Sequence, residues 1–261
     1  MIDPQILRAS FNQAAREYDA VRPGYPPELI EDVIRLSAIP QGGRILEIGC
    51  GTGKATLPFA RRGYEMLCLD IGPDLLAVAA ENLREFPKVR FQKTAFEDWP
   101  EQPEYFDLII AATAFHWVPP ETGYPKSARA LKPGGSLAIF LNEHPRPSSG
   151  FFEEVNAVYR QVSPVMGRPA ARPNTEEVIG QRQAEVLATG LFSSVTVRTY
   201  PWTATYSTRD YIRLLNTYSD HLTLDEDRRR TLYQGIASLI DERYGGKVEK
   251  EYLAVLYLAK K

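Results

Sequence analysis

Glu47-Ile48-Gly49-Cys50-Gly51-Thr52-Gly53 sets one carboxylate ahead of three glycines that alternate with other residues. The apolar run Arg44-Ile45-Leu46 leads into it, so the stretch reads as a short strand breaking into a turn. Each missing Cβ lets the chain bend sharply and lets a ligand approach the backbone. Amides freed by such a turn, at the start of a helix, form an electropositive ledge suited to a nucleotide-like ligand. Asp70 ends the next apolar run, where a carboxylate can accept both hydroxyls of a ribose. His116, alone of three histidines, follows a central predicted strand at the same edge. There it can take a proton from a hydroxyl nucleophile or hydrogen-bond a carboxylate. His144, just past the fifth strand, is a weaker alternate, and His221 reads as peripheral.

Spacing separates the glycine loops that bind nucleotides. A dinucleotide fingerprint needs G-x-G-x-x-G, and its third glycine falls on Lys54. A phosphate-binding loop needs a glycine where Ile48 stands and a Ser or Thr where Ala55 stands. What remains is E-x-G-x-G-x-G after a strand.

The elements that must hold these residues follow from periodicity. A helix is predicted over Pro4–Tyr18, followed by Arg22-Pro23-Gly24-Tyr25-Pro26-Pro27, whose prolines exclude regular structure. Pro27 opens a second helix carrying Leu29, Ile30, Val33, Ile34 and Leu36. Strand and helix then alternate: helix Ala55–Arg62, strand Glu65–Asp70, helix Pro73–Phe86, strand Val89–Lys93, strand Phe106–Ala111, helix Glu121–Leu131 and strand Ser136–Leu141. The apolar run Phe106–Ala111 is typical of a buried parallel strand. This βαβα order predicts a doubly wound α/β fold, Rossmann-like, with a ligand at the carboxyl ends of its strands. Residues 143–190 loosen into a proline-bearing excursion with helices near Phe152–Val162 and Thr175–Thr189. Strand character returns at Val195–Tyr206 and Val248–Ala259, around helices Thr208–Tyr218 and Asp225–Tyr244.

With 261 residues, 44% of them hydrophobic, the chain can bury the core of one domain, or of one domain with an insert. Thirty-one basic against 33 acidic residues leave a formal charge of -2, which provides no basic field for a nucleic acid partner. Cys50 and Cys68 do not form a disulfide framework, and the cytoplasm is the expected compartment. Neither a signal peptide nor a membrane span of about 20 apolar residues is expected. No zinc-type cysteine/histidine cluster occurs, so no metal is expected.

The glycine stretch resembles motif I of the class I S-adenosylmethionine-dependent methyltransferases, and the element order is similar to their seven-stranded, mostly parallel sheet with an antiparallel last strand. Ala9-Ser10-Phe11-Asn12, Tyr18-Asp19, Arg22-Pro23-Gly24-Tyr25-Pro26, Ala114-Phe115-His116-Trp117 and Leu131-Lys132-Pro133-Gly134-Gly135 resemble the small-molecule branch near the trans-aconitate methyltransferase type. The resemblance implies residues 1–40 as a helical lid, 41–142 as the cofactor core, 143–190 as a helical cap, and 191–261 as the strands and helices completing the sheet. It implies S-adenosyl-L-methionine as cofactor and S-adenosyl-L-homocysteine as product. Glu47 would anchor the methionine amino group through water or backbone. Gly49, Cys50, Gly51 and Gly53 would line the ligand. Asp70 would bind the ribose, Ile71 would pack on the adenine, and Thr94-Ala95-Phe96 would sit at the adenine edge. Tyr18, Phe115 and Trp117 would surround the sulfonium, to which each aromatic face contributes about 0.5–2 kcal/mol. Core packing is the competing role for all three.

Methyl transfer needs alignment and a dry site more than it needs protein chemistry. A carboxylate acceptor needs no base, whereas a hydroxyl, thiol or carbon acceptor does, and His116 is the candidate. The acceptor is expected to be a small molecule methylated at oxygen. Tyr159, Trp202, Tyr206, Tyr211 and Tyr218 are candidate pocket walls, and Arg146, Arg168, Arg172 and Arg182 are candidate carboxylate clamps. Ala112-Thr113-Ala114-Phe115 departs from the Asn/Asp-Pro-Pro-aromatic motif of nucleobase amino-methylating enzymes. A nicotinamide-dependent oxidoreductase and a non-catalytic S-adenosylmethionine-binding protein remain open. The protein is expected to be a monomer or homodimer.

Overall fold

A computed structural model describes residues 15–145, 150–162, 175–218, 221 and 223–261. Residues 4–14 of the first predicted helix, together with Arg146, Arg168 and Arg172, lie outside the described residues.

The elements run α1 (Ala15–Val21), α2 (Pro27–Ser37), β1 (Arg44–Ile48), α3 (Thr56–Ala60), β2 (Glu65–Asp70), α4 (Pro73–Asn82), β3 (Val89–Lys93) and β4 (Phe106–Ala112). A 3-10 turn (Phe115–Trp117) leads to α5 (Pro120–Ala130), β5 (Leu131–Glu143), α6 (Gly150–Val162), α7 (Thr175–Ala188), β6 (Ser194–Ser207), α8 (Thr208–Leu215), α9 (Glu226–Arg243) and β7 (Lys247–Lys260). They build one seven-stranded sheet in the order β3-β2-β1-β4-β5-β7-β6. β1 to β5 are parallel, while β7 runs antiparallel between β5 and β6. The expected doubly wound fold with its antiparallel last strand is therefore the observed one.

Alternation along the strands explains the two-sided core. Leu46 and Ile48 of β1 join Ile109 and Ala111 of β4 and Val255 and Tyr257 of β7 on one face, beside Phe115 and Tyr124. Ile45, Leu108, Ile110, Ala254 and Leu256 face the other way, under Leu29, Val33 and Phe59 of α2 and α3. Period two puts Glu47 on that second face, where no water reaches it. A third cluster joins the outer halves of β6 and β7 to α6, α8 and α9 through Phe151, Tyr211, Leu232 and Ile236.

Several boundaries differ from expectation for local reasons. Pro73 opens α4, which ends at Asn82, with Leu83 no longer helical. β5 begins five residues before Ser136, because Leu131 pairs with Phe106 and Lys132–Gly135 form an irregularity before pairing resumes at Leu108. Asp107 anchors that bend, accepting from Lys132 Nζ (2.6 Å) and from the Arg44 amide (2.8 Å).

α1 lies against α4 and α8. Glu17 pairs with Arg213 (2.6 Å), and Lys54 Nζ donates to the Asp19 carbonyl (2.5 Å). Among the described residues, no helix is long and apolar enough to cross a membrane.

Candidate functional site

The carboxyl ends of β1, β2 and β4 open into a cavity of about 250 Å³. Its floor is the turn after β1. Gly49 and Gly51 both have positive φ, 67° and 56°, and the two positions use glycine for different reasons. A Cβ on Gly49 would sit 2.6 Å from the Ala114 Cβ, so here two chain segments press together. A Cβ on Gly51 would meet nothing within 4 Å, since that residue borders the cavity.

Asp70 ties the floor to the next wall. Its Oδ2 accepts from the Gly51 amide (2.9 Å) and its Oδ1 from the Gly72 amide (2.8 Å). Both bonds fix the carboxylate plane at the tip of β2.

Thr113 forms the opposite rim, with φ at 54°, an unusual conformation for a β-branched residue. Its amide donates to the Phe140 carbonyl (2.8 Å) and its Oγ1 shares a hydrogen bond with the Tyr25 hydroxyl (2.7 Å). This kink brings Ala114 against Gly49 and turns His116 and Trp117 toward the cavity, their rings 4.8 Å apart. His116 is exposed at the cavity mouth, with its ring only partly shielded by protein. That partial burial, and then the charge of Arg182, lowers its pKa below the ordinary imidazole value. The imidazole is consequently neutral at neutral pH and able to accept a proton.

Of the residues singled out from the sequence, Tyr18, Gly49, Gly51, Asp70, Ile71, Thr94, Phe96, His116 and Trp117 all line this cavity. Glu47, Cys50, Gly53 and Ala95 do not. Gly53 packs on Leu83, and Cys50 is buried beneath the turn. Glu47 lies under α3, where its Oε2 accepts from Thr56 Oγ1 (2.6 Å) and the Cys68 thiol (3.7 Å). Its Oε1 is buried without a hydrogen-bond partner, and desolvation pushes its pKa up to about 8.

The tyrosine wall is not assembled around the cavity. Tyr206 and Tyr211 are core residues of the third cluster, with Tyr159, Trp202 and Tyr218 packed against it. Phe115 likewise packs in the core, 5.0 Å from Tyr124. His144 sits beside Tyr252 (5.3 Å), away from the cavity. His221 is buried, with Nε2 at 3.1 Å from the Tyr159 hydroxyl. Sequence reasoning missed Arg22, Leu75 and Thr113 as cavity residues. Arg22 carried a signal, a lone cation in a proline-rich segment before the glycine turn, whereas nothing in a threonine announces a positive φ. Among the described residues no three His, Cys, Asp or Glu side chains gather as a metal site would require.

Substitution separates the two glycines. Gly49→Ala is expected to cost about 2–4 kcal/mol, from left-handed backbone strain plus overpacking against Ala114. Gly51→Ala should cost only about 1 kcal/mol while placing a methyl group in the cavity. Urea denaturation of both variants is the check, and equal losses would contradict these separate roles.

Residues 45–135 match a family model described as a methyltransferase domain. An uncharacterized methyltransferase of Mycobacterium tuberculosis is 35% identical over 136 residues, covering 52% of this chain and 53% of the relative. The chain thus spans about half the length of that curated relative. An uncharacterized methyltransferase-like protein of Schizosaccharomyces pombe is 25% identical over 230 residues, 88% of this chain and 85% of the relative. Phosphoethanolamine N-methyltransferase 2 of Haemonchus contortus, solved in complex with S-adenosyl-L-methionine, has a TM-score of 0.56 at 19% identity. That likeness covers 96% of this chain and 57% of the solved one, and it is a likeness of fold.

Proposed function

We propose that this chain, whose residues 45–135 match a methyltransferase domain, is a class I S-adenosylmethionine-dependent enzyme that transfers a methyl group to oxygen of a small-molecule acceptor. The observation that carries the reading is the cavity floor: an open glycine turn whose Gly51 amide is locked to Asp70. The open space at Gly51 supports a fit for an adenosyl ligand there.

S-adenosylmethionine supplies an activated methyl group on a sulfonium when bound. In this reading Asp70 accepts the ribose hydroxyls, while Ile71, Thr94 and Phe96 flank the adenine. Gly49 and Gly51 let the methionine portion lie against the backbone. Tyr18 and Trp117 present aromatic faces to the positive sulfur. Glu47, held beneath the turn by Thr56 and Cys68, would reach the methionine amino group only through water or backbone. Residues 1–40 serve as a lid, and residues 143–261 frame the acceptor and complete the sheet. Exclusion of water favours the step, because the charges of nucleophile and sulfonium cancel as they react.

His116 accepts the acceptor's proton when the nucleophile is a hydroxyl, and is dispensable when it is already a carboxylate. With an acceptor in hand, His116→Asn separates these cases. A large fall in kcat identifies the hydroxyl route, whereas retained kcat rules out a base role for His116.

Calorimetric titration with S-adenosylhomocysteine and with NAD tests the cofactor assignment. Binding of the first and not the second is expected. Binding of NAD alone would return the chain to the oxidoreductase class. A panel of small hydroxyl and carboxyl acceptors, read by release of S-adenosylhomocysteine, then distinguishes an enzyme from a protein that only holds the ligand.

A further inference from the structure

Lys126 of α5 is only 8% exposed. A buried ammonium is costly unless its donors and its charge are met. No carboxylate of a described residue pairs with it, and Glu101, whose carboxyl feels its charge, is held by Arg129 instead (2.9 Å). Lys126 Nζ donates to the Glu97 carbonyl (2.8 Å). The ammonium also lies 5.5 Å from the Phe96 ring centroid and 5.9 Å from that of Trp99, within cation–π range of both. Those two rings stack, 6.1 Å apart with planes 15° from parallel. Phe96 lines the cavity, whereas Lys126 stands behind it.

The backbone explains why a lysine is needed there. The Thr94 amide donates to the Asp70 carbonyl (3.0 Å), which fixes the start of the segment to β2. The amides of Asp98 and Trp99 both turn back to the Ala95 carbonyl (3.2 and 3.0 Å), making a single helical turn. Pro100 has no N–H to continue that turn, so the Glu97 carbonyl is left for a side chain to satisfy. At the other end, the Ala95 and Phe96 amides donate to no group of the described residues. One end of the turn is thus anchored by Lys126, and the other holds uncommitted donors beside a cavity-lining ring. Adenine N1 accepts a hydrogen bond, whereas N1 of a 6-oxo purine carries a proton. An amide at that edge therefore matches the first base and leaves two donors facing each other with the second.

We propose that Lys126 is a positioning residue for base recognition: by holding the Glu97 carbonyl against the Phe96–Trp99 stack, it aims the amides of residues 95 and 96 at the base edge of the ligand and so sets a preference for a 6-amino over a 6-oxo purine. The inference rests on the adenosyl-ligand reading above. No bond is made or broken at the ammonium.

The experiment compares S-adenosylhomocysteine with S-inosylhomocysteine, which differs only at position 6 and in the N1 proton. Both are titrated calorimetrically into wild type, Lys126→Met, Lys126→Arg and Lys132→Met. Wild type should prefer the adenosyl ligand by about tenfold, the scale of one mismatched hydrogen bond. Lys126→Met should narrow that preference to within about threefold, and Lys126→Arg, which keeps a donor and a positive charge, should retain it. Lys132→Met loses the ion pair to Asp107 and serves as the control, with a lowered Tm and an unchanged preference. Should Lys126→Met not fold, Lys126→Gln, which keeps a donor without the charge, should narrow the preference in the same direction. Equal weakening of both ligands in the Lys126 variants would reduce the residue to a fold contact and overturn the proposal. A wild type that binds the two ligands alike would overturn it too, since no amide would then be reading the base edge. Failure of wild type to bind either ligand would instead overturn the cofactor reading beneath it.

Discussion

Asp70→Asn is expected to weaken S-adenosylhomocysteine binding by about 100-fold, the largest binding effect of any single substitution in the cavity. Two hydrogen bonds from ribose hydroxyls to a carboxylate contribute about 1.5–3 kcal/mol each, and 1.4 kcal/mol is a factor of ten. Asparagine keeps one oxygen, which limits the direct loss. Its NH2, however, must face the Gly51 or the Gly72 amide, both of which donate toward this position. The turn therefore loses an anchor as well as the ligand losing an acceptor. A stability loss of about 1–3 kcal/mol should accompany the weaker binding. Isothermal titration and urea denaturation of one preparation measure both, and wild-type affinity in Asp70→Asn would remove the ribose assignment.

The second large effect concerns stability. Glu47 is fully buried, and desolvation raises its pKa from 4.5 to about 8. An unfolded chain ionises this carboxyl near the ordinary value, whereas the fold keeps it protonated up to about pH 8. Across that interval folding takes up a proton. Stability is thus greatest on the acid side of the unfolded value and declines as pH rises toward the folded one, each pKa unit corresponding to about 1.4 kcal/mol. Glu47→Gln cannot ionise and keeps an oxygen for the Thr56 hydroxyl. The variant should match wild type near pH 4 and exceed it by about 5 kcal/mol near pH 9. Urea denaturation at the two pH values decides, and parallel pH profiles for variant and wild type would show that the carboxyl is ionised in the fold.

The elements legible in the sequence were those whose signal is local. Glycines at 49 and 51 and an acid ending β2 report directly on backbone and ligand chemistry, and both features border the cavity. Glu47 was visible as an acid but not as a buried one. A strand covered on both faces shows no polar side, so only the register of β1 against β2, with Glu47 opposite Cys68, reveals that it points under α3. The rim at Thr113 was not legible at all, since its positive φ depends on Tyr25, some ninety residues earlier, and on Phe140. The tyrosines of β6 and α8 suited a pocket wall by composition, yet Tyr206 and Tyr211 bury themselves together. Amphipathic aromatics satisfy either environment, and the packing of α9 and α6 around them decided between the two.

β6 has a single neighbour in the sheet, β7, and fourteen residues of each strand face one another. During synthesis from the amino end, β2 to β5 can pair as they emerge, because each finds a partner among strands already made. β6 cannot. Its backbone donors and acceptors wait through α8 and α9 before the matching ladder exists, and an unpaired strand of that length is open to pairing with another chain. Charge along its path, such as Arg198, offers some protection, so newly made protein should be most prone to aggregate in the interval between these two strands.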